Sequence, residues 1–333
     1  MVTDMIPPAA AQPFLARLGW GDAMVVPLAG DASFRRYFRV IDGARRAVLM
    51  DAPPPHEDPR PFLSIAEHLG AQGFAAPAII GRDLEHGLVL LEDFGDARVR
   101  EHCEAAPEEE HAVYTRAVSL LARLHKLPPV DAPPYDRAVY QREAGLLTEW
   151  YCPAIGLPVD ELGYGAAWDA VLPVVERDDA PRVTVLRDYH AENIMLIDGR
   201  DDALNLGLLD FQDALVGHPA YDLVSLLQDA RRDVSPELEA EMLALYKQLA
   251  APRGQFDAAY AVLGAQRNAK IIGIFTRLWK RDGKPRYLSF LPRMWDLLER
   301  DLAHPALGPV ADWFDANINA EHRHQALAAF VPA

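Results

Sequence analysis

The chain has 333 residues, half of them apolar and a quarter charged, with a formal net charge of −16 at pH 7. That length gives room for one large domain or two ordinary ones, and so acidic a chain lacks the basic stripe that nucleic-acid binding requires. No apolar run approaches the ~18 residues of a membrane span. No basic start leads into an apolar core as in a signal peptide. Cys103 and Cys152 stand far apart without metal-ligand spacing. The expectation is a cytoplasmic protein with reduced thiols.

"QPFLARLG" (12–19) predicts a short helix stopped by Gly19. Three β-like runs follow at 24–29, 36–41 and 46–52, joined by "GDAS" and "DGA", and predict an antiparallel meander. The proline cluster at 52–59 hands over to an amphipathic helix at 60–73. Strands at 77–83 and 87–94 then complete a five-stranded sheet with one inserted helix. Beyond Gly95 the pattern changes. Pro107 and three glutamates open a helix running to 127, the acids suiting the positive end of its dipole. Proline-rich joints at 128–134 and 152–158 bracket another helix, the segment 183–210 is β-like, and from Ala220 nearly everything is helical. The expected fold class is α+β. A small antiparallel lobe (1–94) precedes a larger, mostly helical one (95–333), with a cleft between them.

The densest polar stretch is "VLRDYHAENIML" (185–196), set between apolar runs. Strands at 194–197 and 203–209, turned by "DGRDD" (198–202), predict a hairpin. Pairing Ile197 with Leu206 places Asn193 opposite Asp210 at the open end, beside the turn that carries Asp188. A carboxylate and an amide oxygen together suit magnesium, which takes few protein ligands and completes its shell with phosphates. A third carboxylate left off the metal can orient a hydroxyl and accept its proton. These are the parts of phosphoryl transfer. Singly, each residue is an ordinary turn former. With "LLDFQDA" (208–214) downstream and a small β-lobe upstream, the set reads as an active site whose base is Asp188.

"LRDYHAEN" and "LLDFQDA" resemble the catalytic and metal-binding segments of the aminoglycoside phosphotransferase-like kinases, which share the protein-kinase fold. The resemblance spans nearly the whole chain. It implies ATP and Mg2+ as cofactors, Asn193 and Asp210 as metal ligands, His190 and Asp222 as supports of the catalytic loop, and a hinge at Glu92, Asp93 and Phe94 that receives adenine. "GDASFRRYFRV", "VLMDAPP" and "GIFTRLWKRDGKPRYLSFLPRMW" resemble a narrower group, the bacterial anomeric kinases of N-acetylmuramate and N-acetylglucosamine in cell-wall recycling. This implies a monomer acting on a small amino sugar, whose product passes to a sugar-1-phosphate uridylyltransferase, with no nucleic acid or membrane as partner.

Two positions depart from the pattern. Leu186 replaces the histidine that usually precedes the catalytic pair, at a packing position. Val48 and Met50 are expected to face the nucleotide, and Met50 stands where such kinases carry their phosphate-binding lysine. The expected substitute is an arginine able to grip phosphate bidentately: Arg36 first, then Arg35 and Arg39, with Glu67 as its partner. The acceptor site is expected from Glu143, Trp150, Asp213 and Arg267, with Lys270 and Arg277 nearby. Other acceptors on the same fold (an aminoglycoside, choline or homoserine) and a silent nucleotide-binding module are the alternatives. The basic segment 266–286 favours an uncharged or anionic acceptor.

Overall fold

A computed structural model describes residues 6–28, 35–176, 182–197, 206–320 and 322–323. The expected turns at 30–33 and 198–202 lie outside them. Chain contacts divide the molecule into two units, Met1–Ala117 with Glu192–Ala214, and Val118–Ala191 with Leu215–Ala333. The partition expected at residue 94 concerns functional roles; by contacts the first unit also takes in residues 95–117 and 192–214.

In chain order the elements begin with helix α1 (Ala11–Arg17) and strands β1 (Met24–Leu28), β2 (Arg36–Asp42) and β3 (Arg45–Asp51). Helix α2 (Arg60–Ala71), strands β4 (Ile79–Asp83) and β5 (Leu88–Glu92), and helices α3 (Val99–Ala105) and α4 (Glu110–Leu124) follow. Next come α5 (Arg137–Ala144), a π-helical turn (Leu147–Tyr151), α6 (Cys152–Ala154), α7 (Glu161–Val171) and α8 (Pro173–Glu176). Four short strands succeed them: β6 (Val183–Val185), β7 (Ile194–Leu196), β8 (Leu206–Leu208) and β9 (Leu215–Gly217). The chain ends in α9 (Ala220–Leu227), α10 (Pro236–Ala250), α11 (Phe256–Lys280), α12 (Leu291–Leu302) and α13 (Gly308–Asn317).

The first unit is built on an antiparallel sheet in the order β1-β2-β3-β5-β4. Strand side chains alternate between faces. Phe38, Val40, Ala47, Leu49, Leu88 and Leu90 therefore share one face, where they form a core with Phe14, Leu15 and Trp20 from α1 and the turn after it. Tyr37, Arg39, Val48 and Met50 lie on the other face, because Tyr37 pairs with Met50 and Arg39 with Val48. α2 opens with Pro61 in its first turn and buries Phe62, Ile65, Ala66 and Leu69 along one stripe.

The hairpin register differs from expectation by one residue. Leu196 pairs with Leu206 and Ile194 with Leu208, so Asn193 faces Leu209, whose N–H donates to the Asn193 carbonyl at 3.0 Å. The hairpin is pinned from outside its own turn. Leu196 N–H donates to the Ala97 carbonyl and Leu208 N–H to that of Ala75. A Cβ at Gly207 would lie 2.6 Å from the Phe94 ring. Apolar patterning within β7 and β8 could not reveal these external anchors, because both strands are buried on both faces.

In the second unit β6 pairs with β9, a three-residue strand too short to be legible in sequence. α11, 25 residues long and buried along most of its length, is the element against which α5, α8, α9, α12 and the π-helical turn pack. The helix expected at 137–151 ends at Ala144 and continues as the π-helical turn. A Cβ at Gly273 of α11 would fall 2.3 Å from the Leu146 carbonyl, which explains how this turn approaches so closely.

Candidate active site

Asp188 sits in a loop whose backbone is fixed by a buried acid. Asp222, at the start of α9 and fully buried, accepts the N–H of Leu186 at 2.7 Å and of Arg187 at 2.8 Å. Arg187 adopts φ 70°, a left-handed conformation costing about 1–2 kcal/mol in a residue with a side chain. The two bonds to Asp222 offset that cost. The Arg187 guanidinium binds Glu143 of α5, and Lys270 of α11 binds the same carboxylate at 2.9 Å. The Tyr135 hydroxyl donates to Glu143 as well, and Lys270 donates to the Tyr221 hydroxyl at 3.2 Å.

Burial drives the Glu143 and Asp188 carboxyls upward. Neighbouring cations, Lys270 foremost in both cases, more than offset it, so both lie below the usual carboxylate range. Asp188 is therefore an anion at neutral pH. For Asp222 burial wins and lifts its carboxyl to about 7, against the pull of its two N–H donors. His190 is buried, its pKa is depressed mainly by burial, and its Nε2 lies 3.3 Å from Arg231. Asp229 accepts the Ala191 N–H at 3.2 Å. Sequence reasoning missed Asp229, although an acid closing the apolar run "LVSLLQDA" was a usable signal.

The open end of the β7–β8 hairpin belongs to the first unit. Asn193 Nδ2 lies 3.4 Å from Asp210 Oδ2, and Gln212 Nε2 donates to Asp210 Oδ1 at 2.9 Å. Asp210 is exposed and has φ 58°, so the chain turns sharply where its carboxylate is presented. Phe211 is buried and stacks on Phe62 of α2, 5.0 Å between ring centres. Arg100 of α3 binds Glu192 just before Asn193. Among the described residues no three His, Cys, Asp or Glu cluster as a metal cage. One exposed carboxylate beside one amide fits magnesium, which keeps most of its shell for water and phosphate, better than a fully protein-bound ion.

The three arginines of "FRRYFR" go separate ways. Arg36 bonds Asp51 at 2.8 Å, its cross-strand partner. Arg39 binds Asp93 at 2.7 Å and Asp96 at 2.9 Å. Arg35 pairs with Glu57 at 3.4 Å. Glu67 binds none of these; it pairs with Arg82 at 3.1 Å, both side chains half exposed, because its stripe of α2 faces solvent. Val48 is partly open and Met50 is fully covered. At the expected hinge, Glu92 N–H donates to the Ala78 carbonyl at 2.9 Å, and Asp93 Oδ1 accepts the Gly95 N–H at 2.9 Å.

Of the expected acceptor residues, Glu143, Trp150 and Arg267 belong to the second unit and Asp213 to the first. Glu143 and Arg267 are interior, 6 % and 4 % exposed. Glu143 is engaged as above, and Arg267 donates to the Ser225 hydroxyl at 2.9 Å. A buried charge needs protein partners, and both have them. Trp150 is partly exposed on the π-helical turn, a local distortion frequent at functional sites. Asp213 is exposed, in the first unit beside Asp210. Arg277 is partly buried on α11.

A small antiparallel sheet before a mainly helical region, with a D-x-x-x-x-N loop and a following aspartate, defines a phosphotransferase of the kinase kind. The chain belongs to the phosphotransferase enzyme family, which it matches over residues 25–259. An N-acetylmuramate/N-acetylglucosamine kinase of Caulobacter vibrioides is 36% identical over 95% of this chain and 98% of its own. One of Pseudomonas aeruginosa is 38% identical over 86% of each. Among solved structures, a choline/ethanolamine kinase family protein from Mesorhizobium loti matches 99% of both chains with a TM-score of 0.63 at 13% identity. The streptomycin–ATP ternary complex of APH(2″)-IIa matches 91% of this chain and 98% of that one, with a TM-score of 0.58 at 15% identity. These structures share the protein-kinase-like α+β fold. No helix among the described residues is long and apolar enough to cross a membrane.

Proposed function

We propose that the chain is an ATP-dependent kinase that phosphorylates the C1 hydroxyl of N-acetylmuramate and N-acetylglucosamine. The observation that carries the chemistry is Asp188, held as a carboxylate in a buttressed loop five residues before Asn193. The acceptor class rests on the relatives' names and the extent of their match.

In this reading Asp188 orients the anomeric hydroxyl and takes its proton while the hydroxyl oxygen bonds to the γ-phosphorus. The bond to the β-phosphate bridging oxygen breaks, leaving ADP and a sugar 1-phosphate. Asn193 and Asp210 would hold magnesium, which supplies charge neutralisation at the phosphates. Asp222 and Asp229 fix the loop backbone, and the segment Glu92–Phe94 receives adenine. The first 94 residues serve the nucleotide, and the remainder carries the catalytic residues and the acceptor site. The product, a sugar 1-phosphate, suits a uridylyltransferase in cell-wall recycling, and the enzyme works as a cytoplasmic monomer.

A panel of purified acceptors, read by transfer of labelled phosphate from ATP, tests the reading. N-acetylmuramate and N-acetylglucosamine should lead, with phosphate lost on mild acid hydrolysis as an anomeric ester requires. Preference for choline, homoserine or an aminoglycoside would replace the acceptor. ATP binding without transfer to any of them would replace the enzyme by a nucleotide-binding module.

A further inference from the structure

Position 50 holds a fully buried methionine where the resembling kinases have a lysine for the ATP phosphates. A closed nucleotide site still needs a cation there. The sheet's alternation selects among the candidates. Met50 lies opposite Tyr37, so residues 35, 37 and 39 share its face, whereas Arg36 shares the parity of Phe38 and Val40 on the face that packs on α1. Arg36 is accordingly drawn to Asp51, which is only 1 % exposed. Arg39 has the right parity but is held by Asp93 and Asp96 beyond β5.

Arg35 remains. It stands one residue ahead of β2, bonds the Tyr37 side chain, and pairs with Glu57 in the segment leading to α2, with 12 % and 19 % of the two side chains exposed. Arg35 and Glu57 thus pair next to the strand that sets Tyr37 opposite Met50.

We propose that Arg35, steadied by Glu57, is the cation that grips the ATP phosphates in place of the missing lysine. This rests on the ATP-kinase reading. A guanidinium reaching in from the strand before position 50 replaces an ammonium reaching out from position 50, and its planar fork can hold two phosphate oxygens. Tyr37, opposite Met50 in the sheet, bonds the arginine and steadies its direction.

Calorimetric binding of ADP and of adenosine, each with magnesium, tests this without any acceptor. Arg35→Ala should weaken ADP at least tenfold, leave adenosine unchanged, and lower turnover ~10²-fold with the sugar KM steady. Arg35→Lys should recover most of the ADP affinity, and Arg35→Ala should lose more than Arg36→Ala. If Arg35→Ala fails to fold, Arg35→Gln is measured with the same two ligands. ADP affinity within threefold of wild type in the folded variant overturns the proposal, as does a larger loss in Arg36→Ala. Failure of the kinase reading would appear elsewhere, as a wild-type protein that binds ADP but transfers phosphate to no acceptor.

Discussion

Asp188 and Asn193 are five residues apart, yet their surroundings treat charge in opposite ways. Around Asp188, in the second unit, charges are interior and matched by protein: Glu143 with Arg187 and Lys270, and Asp222 with two backbone N–H groups. Around Asn193, in the first unit, Asp210 is exposed and meets amide donors of Gln212 and Asn193 at 2.9 and 3.4 Å. A base must keep one protonation state and one direction before substrate arrives, and a preorganised interior supplies both. A magnesium ligand must stay accessible to an ion that arrives with its phosphates. The contrast is between a finished site and one that substrate completes.

The largest expected effect breaks that contrast at both ends. Asp188→Asn should cut turnover by ~10³-fold while ADP affinity stays put, because only proton acceptance is lost. Raising magnesium should recover nothing. Asp210→Asn should cost about 10²-fold and regain part of that loss as magnesium is raised, since the defect is in ion affinity. Steady-state rates across a magnesium titration separate the two. Equal recovery in both variants, or none in either, would erase the distinction drawn between the sites.

The intermediate effect concerns Glu143. Glu143→Gln leaves Arg187 and Lys270 with a neutral partner, so the loop loses an anchor and Asp188 gains competing cations. Turnover should fall about tenfold with the sugar KM unchanged, the pattern expected when an interaction matters to the transition state alone. A raised sugar KM with unchanged turnover would instead make Glu143 the acceptor contact that sequence suggested.

Sequence exposed the local parts of this arrangement and hid the distant ones. Asp188, His190 and Asn193 lie in one loop, and the five-stranded sheet followed from period-two runs and turn residues. The bracing of that loop comes from α5 and α11, far apart in sequence, and no spacing rule connects Glu143 with Lys270. The hairpin register slipped by one because Ala75, Ala97 and Phe94 fix it from outside. The choice among the arginines was legible in principle. Parity alone puts Arg36 with Phe38 and Val40, and reading β2 against β3 would have favoured Arg35 or Arg39. α3 and β9 were too short for a periodic signal.

The smallest effect probes how strictly the second unit keeps unpaired charge out. His218 is buried there and His125 half-buried. Burial is the chief cause depressing both, to about 3 and about 4. Between pH 6.5 and 4 the unfolded chain protonates both residues and the folded chain does not, so each lowers stability as pH falls, by about 1.4 kcal/mol per pH unit. Asp301 and Asp222 act oppositely over the same range. Burial lifts them to about 8 and about 7, so the folded protein holds protons there that the unfolded chain sheds until pH ~4. The total pH slope should therefore be shallow, and the histidines emerge only as a difference. His125 Nδ1 lies 2.7 Å from the Tyr246 hydroxyl, a contact that a glutamine side chain can mimic. Relative to wild type, His125→Gln should gain about 1 kcal/mol in urea unfolding on going from pH 6.5 to 5.5, starting from whatever packing loss it carries at pH 8. A stability difference constant from pH 8 to 5 would mean that His125 takes up its proton inside the folded protein, and that this interior tolerates a charge it does not pair.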